Sequence, residues 1–134
     1  QGVNPYCDKW VEIKHFFVRK VMLIKYSFAF VVMPGGFGTL DEYFEAITLI
    51  QTKKIRNFPV IIFCKEFHQK LIEHNQMMKD MGTISDSDME LFLVTDSIEE
   101  AVELIKENSI KRHGLKPEEN IRPFGWLFES RFRF

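Results

Sequence analysis

One junction constrains this chain more than any other. The apolar run Phe28-Ala29-Phe30-Val31-Val32-Met33 predicts a buried strand. The turn Pro34-Gly35-Gly36-Phe37-Gly38-Thr39 follows at once, and residues 40–53 predict a helix. A glycine-rich turn between a strand and a helix offers backbone N–H groups and the positive end of a helix dipole, which suits a phosphate. The turn is not a Walker A sequence, because no Lys-Ser/Thr pair follows its last glycine, and it is not G-x-G-x-x-G. The residues alone leave two readings open: a phosphate cradle, or a tight connection with no ligand.

The rest of the chain repeats the alternation. Residues 9–26 suit a helix, with Trp10, Ile13, Phe16, Phe17, Leu23 and Ile24 near one stripe. Phe58–Cys64 is a second continuous apolar run, as expected of a parallel strand covered on both faces. Residues 66–80 fit a helix ending near Gly82, and Ser85–Asp88 marks a turn or short helix. Leu91–Thr95 reads as a third strand. Ser97-Ile98-Glu99-Glu100 has the capping-box pattern and opens a helix to about Glu107. The order α-β-α-β-α-β-α implies an α/β fold with a parallel sheet and right-handed crossovers. Ligands of such sheets bind beyond the carboxyl ends of the strands, where the Pro34–Thr39 turn lies.

Composition sets limits on function. The 134 residues are enough for one domain with a core of its own. Fourteen Phe against two Trp predict a phenylalanine-packed core. A formal net charge of −1 gives no case for broad nucleic-acid or membrane binding. Cys7 and Cys64 make no disulfide framework, which favours a reducing cytoplasm. No apolar run approaches the ~20 residues that span a bilayer. His15, His68, His74 and His113 lack metal-ligand spacing, so no metal is assigned. The chain starts at Gln1 in what reads as a loop, so N-terminal elements of the domain are expected to be missing. Residues 1–110 read as the later part of a single domain. Residues 111–134 read as an irregular extension whose aromatics dock on the body or on a partner subunit.

The residues also carry a family resemblance. Pro34-Gly35-Gly36-Phe37-Gly38-Thr39-Leu40-Asp41-Glu42, preceded by Arg19-Lys20 and followed by Glu45 and Gln51, resembles the LONELY GUY phosphoribohydrolases. That family carries P-G-G-x-G-T-x-x-E with an upstream R-K pair, and its members are often labelled lysine decarboxylases. The likeness runs from about Tyr6 to Lys106. It implies a Rossmann-like three-layer fold and an N-glycosyl hydrolase that needs no cofactor. The substrate would be a nucleoside 5′-monophosphate, a cytokinin riboside monophosphate or AMP, split into free base and ribose 5-phosphate. It also implies a homodimer or higher homo-oligomer, and it argues against decarboxylation of lysine. A non-catalytic nucleotide-binding module is the alternative reading of the same loop. Family members carry a further glycine-rich segment near their N-terminus, which would precede Gln1.

By the same resemblance, Arg19 and Glu42 match catalytic positions. Gly35, Gly36, Gly38 and Thr39 match the phosphate loop. Lys20, the other member of the R-K pair, and Glu45, one turn beyond Glu42 on the same helix face, are candidates for substrate binding. The residues keep plainer roles open: Thr39 as helix N-cap, Thr39–Glu42 as a capping box, Asp41 as a partner of the helix dipole, Arg19 as a solvated cation, Lys20 as the partner of a carboxylate, and Glu45 as a surface carboxylate or a support for Arg19. Cys64, at a strand end, is expected to be buried and inert.

Overall fold

A computed structural model describes residues 5–8 and 10–108. The elements run α1 (Phe16–Lys25), β1 (Phe30–Val32), α2 (Phe37–Gln51), β2 (Val60–Phe63), α3 (Lys65–Asp80), a 3-10 helix (Asp86–Leu91), β3 (Phe92–Thr95) and α4 (Ile98–Lys106). The strands form one parallel sheet in the order β1-β2-β3. Phe30 pairs with Val60, and Val60 with Phe92, so the amino ends of the strands are level. This is an α/β arrangement consistent with a Rossmann-like fold. The proposed extension from residue 111 lies outside the described residues.

Alternation along each strand divides the sheet into two faces. Val32, Val60 and Ile62 point to one face and pack with Tyr43 and Ala46 of α2. Phe30, Phe58, Phe92, Val94, Ile47, Ile50 and Leu71 of α3 close the rim of this cluster. Thr95, on the other face, donates its hydroxyl to Glu100 of α4. Val31 of β1 is 43% exposed on that face. The expected phenylalanine core is corrected here. The fully buried apolar residues are aliphatic apart from Tyr43, and the described phenylalanines are partly buried or exposed. A β-branched side chain fits the pleated surface of a narrow sheet, whereas a Phe ring reaches past it to the edge of the cluster.

The helices differ from expectation mainly at their starts. The helix expected over residues 9–26 begins only at Phe16, so Trp10 and Ile13 precede it. Its N-cap, His15, makes no side-chain capping bond, and none of its residues is buried. The helix expected from residue 40 begins three residues earlier, at Phe37, with Gly36 as its N-cap. Thr39 is therefore not an N-cap, and Thr39–Glu42 is not a capping box. Other helix ends fall where the sequence marks them, although the capping box expected at Ser97–Glu100 is only half formed: the Ser97 N–H donates to the Thr95 hydroxyl at 3.0 Å and not to Glu100. Gly82 ends the α3 region at φ +72°, a left-handed conformation that glycine adopts freely. Ser97 caps α4 by accepting from the Glu100 N–H at 3.2 Å. The Ser85–Asp88 turn is the start of the 3-10 helix, closed by a capping box between Ser85 and Asp88.

Candidate active site

The glycine turn leaves the carboxyl end of β1 and runs straight into α2. Its three glycines have different surroundings. A Cβ on Gly35 would lie 2.1 Å from the Thr39 hydroxyl oxygen, so this glycine is required by the turn's own packing. A Cβ on Gly36 or Gly38 would meet nothing within 4 Å, and neither has a positive φ. Nothing inside the described chain demands glycine at these two positions. Bare backbone there leaves room for an outside group to approach the amides.

The amino end of α2 is also open electrically. No side chain caps it, and no acidic residue stands in its first turn. Thr39 N–H bonds to the Gly36 carbonyl at 3.1 Å, so the amides of Phe37 and Gly38 are the ones without an intrahelical acceptor. The Phe37 side chain is 94% exposed beside them.

Glu42 lies one turn further along, three residues from Thr39 and four from Gly38, on the same helical face. Its Oε2 is buried and has no hydrogen-bond partner among the described residues. Desolvation is the main cause that holds its carboxyl above the ordinary value, and the neighbouring Glu45 charge adds to it. Lys20 and Arg19 act in the opposite direction, so α1 brings both cations within electrostatic range of this carboxylate.

Lys20 is committed elsewhere. Its ammonium lies 2.9 Å from Asp41 and 2.7 Å from Glu45, which are one turn apart on α2. Those two carboxylates hold its pKa well above the ordinary lysine value, Glu45 contributing most. Asp41 thus acts as an anchor for α1 and not as a partner of the α2 dipole, since it lies beyond the first turn. The i, i+4 spacing of Asp41 and Glu45 is the signal in the sequence for a shared cation. Arg19 is exposed, its guanidinium 5.9 Å from the centre of the Phe16 ring.

The structure therefore gathers Arg19, Lys20, Asp41, Glu42 and Glu45 where α1 meets α2, beside the Gly35–Thr39 turn. Gln51 is not among them: its amide donates to Asp88 at 2.9 Å and ties α2 to the 3-10 helix. Thr52 donates to the Thr48 carbonyl at the end of α2. Cys64 is half-buried, not buried, and occupies the N-cap of α3 at φ 74°. Among the described residues no group of three His, Cys, Asp or Glu is placed to hold a metal ion. The pair Asn75–Tyr43 escaped the sequence reading. Asn75 is buried on α3 and donates to the Tyr43 hydroxyl at 2.9 Å, locking α3 to α2.

A parallel sheet whose first strand runs through an uncapped glycine turn into α2 is the arrangement of a Rossmann-like fold, and the turn and Glu42 lie together at its carboxyl edge. Residues 1–105 match the family described as "possible lysine decarboxylase", so the chain belongs to that family, the LONELY GUY family. Among its curated relatives is the cytokinin riboside 5′-monophosphate phosphoribohydrolase LOG1 of Arabidopsis thaliana, 31% identical over 96 residues. That match covers 71% of this chain and 44% of the relative. The cytokinin riboside 5′-monophosphate phosphoribohydrolase of Rhodococcoides fascians is 28% identical over 89 residues, covering 66% of this chain and 44% of the relative. The chain thus spans less than half the length of either relative.

Proposed function

We propose that this chain supplies one wall of a phosphoribohydrolase site that hydrolyses a nucleoside 5′-monophosphate. Glu42 is the observation that carries the reading: a buried carboxylate oxygen without a partner among the described residues, one turn from an uncapped glycine turn. The family and the named activity of the relatives support the reaction class. Decarboxylation of lysine has no comparable support in the site.

In this reading the 5′-phosphate rests on the amides of Phe37 and Gly38, over the bare backbone of Gly36 and Gly38. Thr39 adds a hydroxyl donor. The ribose then lies above the second turn of α2. Breaking the bond between the base nitrogen and the anomeric carbon leaves positive charge on the sugar. The Glu42 carboxylate stabilises that charge and orients water, whose oxygen bonds to the anomeric carbon. One water proton ends on the departing base. Arg19 offers a planar cation to the phosphate or to the base as it gathers negative charge. Lys20 and Glu45, the candidates for substrate binding, act here through each other: Lys20 anchors α1 on α2 and leaves Glu42 facing the ligand.

Cytokinin riboside monophosphate and AMP are the two substrates to try first. Protein incubated with AMP and with isopentenyladenosine monophosphate should release free base and ribose 5-phosphate. Nucleotide unchanged at high protein concentration, together with tight calorimetric binding, would leave a non-catalytic nucleotide-binding module. No binding at all would remove both readings. We also propose that the protein self-associates. Phe16, Phe17, Val21 and Tyr26 of the α1 region are all more than half exposed, more apolar surface than one short helix usually leaves in water. Light scattering at a monomer mass would refute this. A cytoplasmic location is proposed from the two free cysteines, Cys7 and Cys64, and is checked by fractionation.

A further inference from the structure

A concavity lies at the opposite end of the sheet from the glycine turn. Its volume is about 590 Å³, and it sits where β2 and β3 begin, where α2 ends and where α4 finishes. Phe58, Leu91 and Leu104 are among its apolar walls. Glu90, Glu100, Glu103 and Glu107 also line it, and no lysine or arginine does among the described residues. These carboxylates do not converge into a metal-binding group, so their charge is spread along the cleft and not focused on a single ion. A partner that fits must be extended, cationic and partly aromatic.

The chain itself carries such a segment. Asn108, which lines the cleft and is buried, is followed directly by residues 109–134. Those residues hold six Lys and Arg against three Glu, in a chain whose formal net charge is −1 overall. They also hold Phe124, Trp126, Phe128, Phe132 and Phe134. Lys111 and Arg112 follow Asn108 within four residues of sequence, so almost no loop would have to close for their cations to meet the acidic rim. We propose that the acidic cleft at the amino ends of the strands is the docking site of this chain's own segment 109–134. Lys111 and Arg112 meet the glutamates, and the Phe124–Phe128 cluster covers the apolar wall. Long-range attraction steers the segment, while aromatic burial holds it. This inference is independent of the nucleotide reading, because the two sites occupy opposite ends of the sheet.

The test uses the full chain with Trp10→Phe, which leaves Trp126 as the sole tryptophan. Trp126 should emit at a blue-shifted wavelength and resist acrylamide quenching. Adding Glu90→Lys and Glu103→Lys, both at exposed positions, should abolish the shift and the protection. Charge reversal at exposed Glu66, away from the cleft, should change neither. Half-molar salt should weaken the protection in the parent. Trp126 quenched like a free peptide in the parent would overturn the proposal. So would protection that survives both cleft reversals. Protection that falls on dilution would also overturn it, by showing that a second copy supplies the segment.

Discussion

The two helices that meet at the candidate site are held in opposite ways. α2 buries Tyr43 and Ala46 against the sheet, and its Ile47 and Ile50 reach the same apolar cluster. α1 buries no residue and is fastened to α2 through the Lys20 ion pairs. The wall that carries the glycine turn and Glu42 therefore stands on packed scaffold. The wall that carries Arg19 is held by charge. A reacting carboxylate needs a fixed position, which packing against β-branched strands supplies. Electrostatic fastening is softer and weakens with salt.

This contrast can be broken at several points, taken from the largest effect to the smallest. Glu42→Gln should lower turnover by roughly 10²–10⁴-fold while nucleotide binding persists, because only the charge that acts on the transition state is lost. Its thermal midpoint should be unchanged or higher at neutral pH. Burial raises the pKa of Glu42, so ionising it costs stability, and that cost grows as pH rises through the raised value. A rate near that of the parent would reduce Glu42 to a bystander.

Ile62→Ala removes a fully buried side chain from the face that α2 covers and should cost about 2–5 kcal/mol in denaturant unfolding. A loss under ~1 kcal/mol would mean that the α2 wall is no better packed than the α1 wall.

The glycines sharpen the comparison within one turn. Gly35→Ala drives a Cβ into Thr39 and should destabilise by about 1–3 kcal/mol. Gly36→Ala meets open space, so stability should hold while mononucleotide affinity falls, as calorimetry would show. Equal stability losses in both variants would contradict this division.

Asn75→Ala strips the partner from the buried Tyr43 hydroxyl and should cost about 1–2 kcal/mol. Burial pushes the Tyr43 pKa up from 10.0 to about 12. The stability linked to that raised pKa is complete below pH 10 and is lost as pH climbs toward about 12. Tyr43→Phe should flatten that alkaline limb of a stability-against-pH curve. The smallest effect is expected from Lys20→Met. It should leave the global midpoint almost unmoved, yet speed amide exchange across Phe16–Lys25 and not across α2. Uniform exchange in both helices would remove the contrast.

Much of the fold was legible because it rests on local regularities. The apolar runs at Phe58–Cys64 and Leu91–Thr95 are short and rich in β-branched and aromatic residues, which suits strands, and β2 and β3 fall inside them. Gly82 and Ser97 stop and start helices through their own backbone and side-chain chemistry. Helix starts without such a marker were misread. Residues 10–15 carry a helical stripe, but Trp10 and Val11 there are more than half exposed, and a stripe with little to pack on does not stabilise a helix. At Phe37 the reverse holds, since α2 extends back to Gly36 although Thr39 has the side chain of an N-cap. Of the site, the turn and its glutamate were visible as a motif. Pairing of Lys20 with a carboxylate was one open reading, but the choice of Asp41 and Glu45 was not legible, because it joins residues more than twenty positions apart on separate helices.

By itself the sequence determined the strand–turn–helix order, the place of the glycine turn within it and the family to which the chain belongs. Those properties are carried by neighbours along the backbone, whose spacing fixes their geometry. The tertiary structure alone decided which glycine serves the turn and which ones leave it open, that Glu42 keeps a buried oxygen without a partner among the described residues, and that Lys20 joins two helices instead of facing a ligand. These outcomes depend on distances across the fold and on the exclusion of water, which arise only when α1, α2 and the sheet come together.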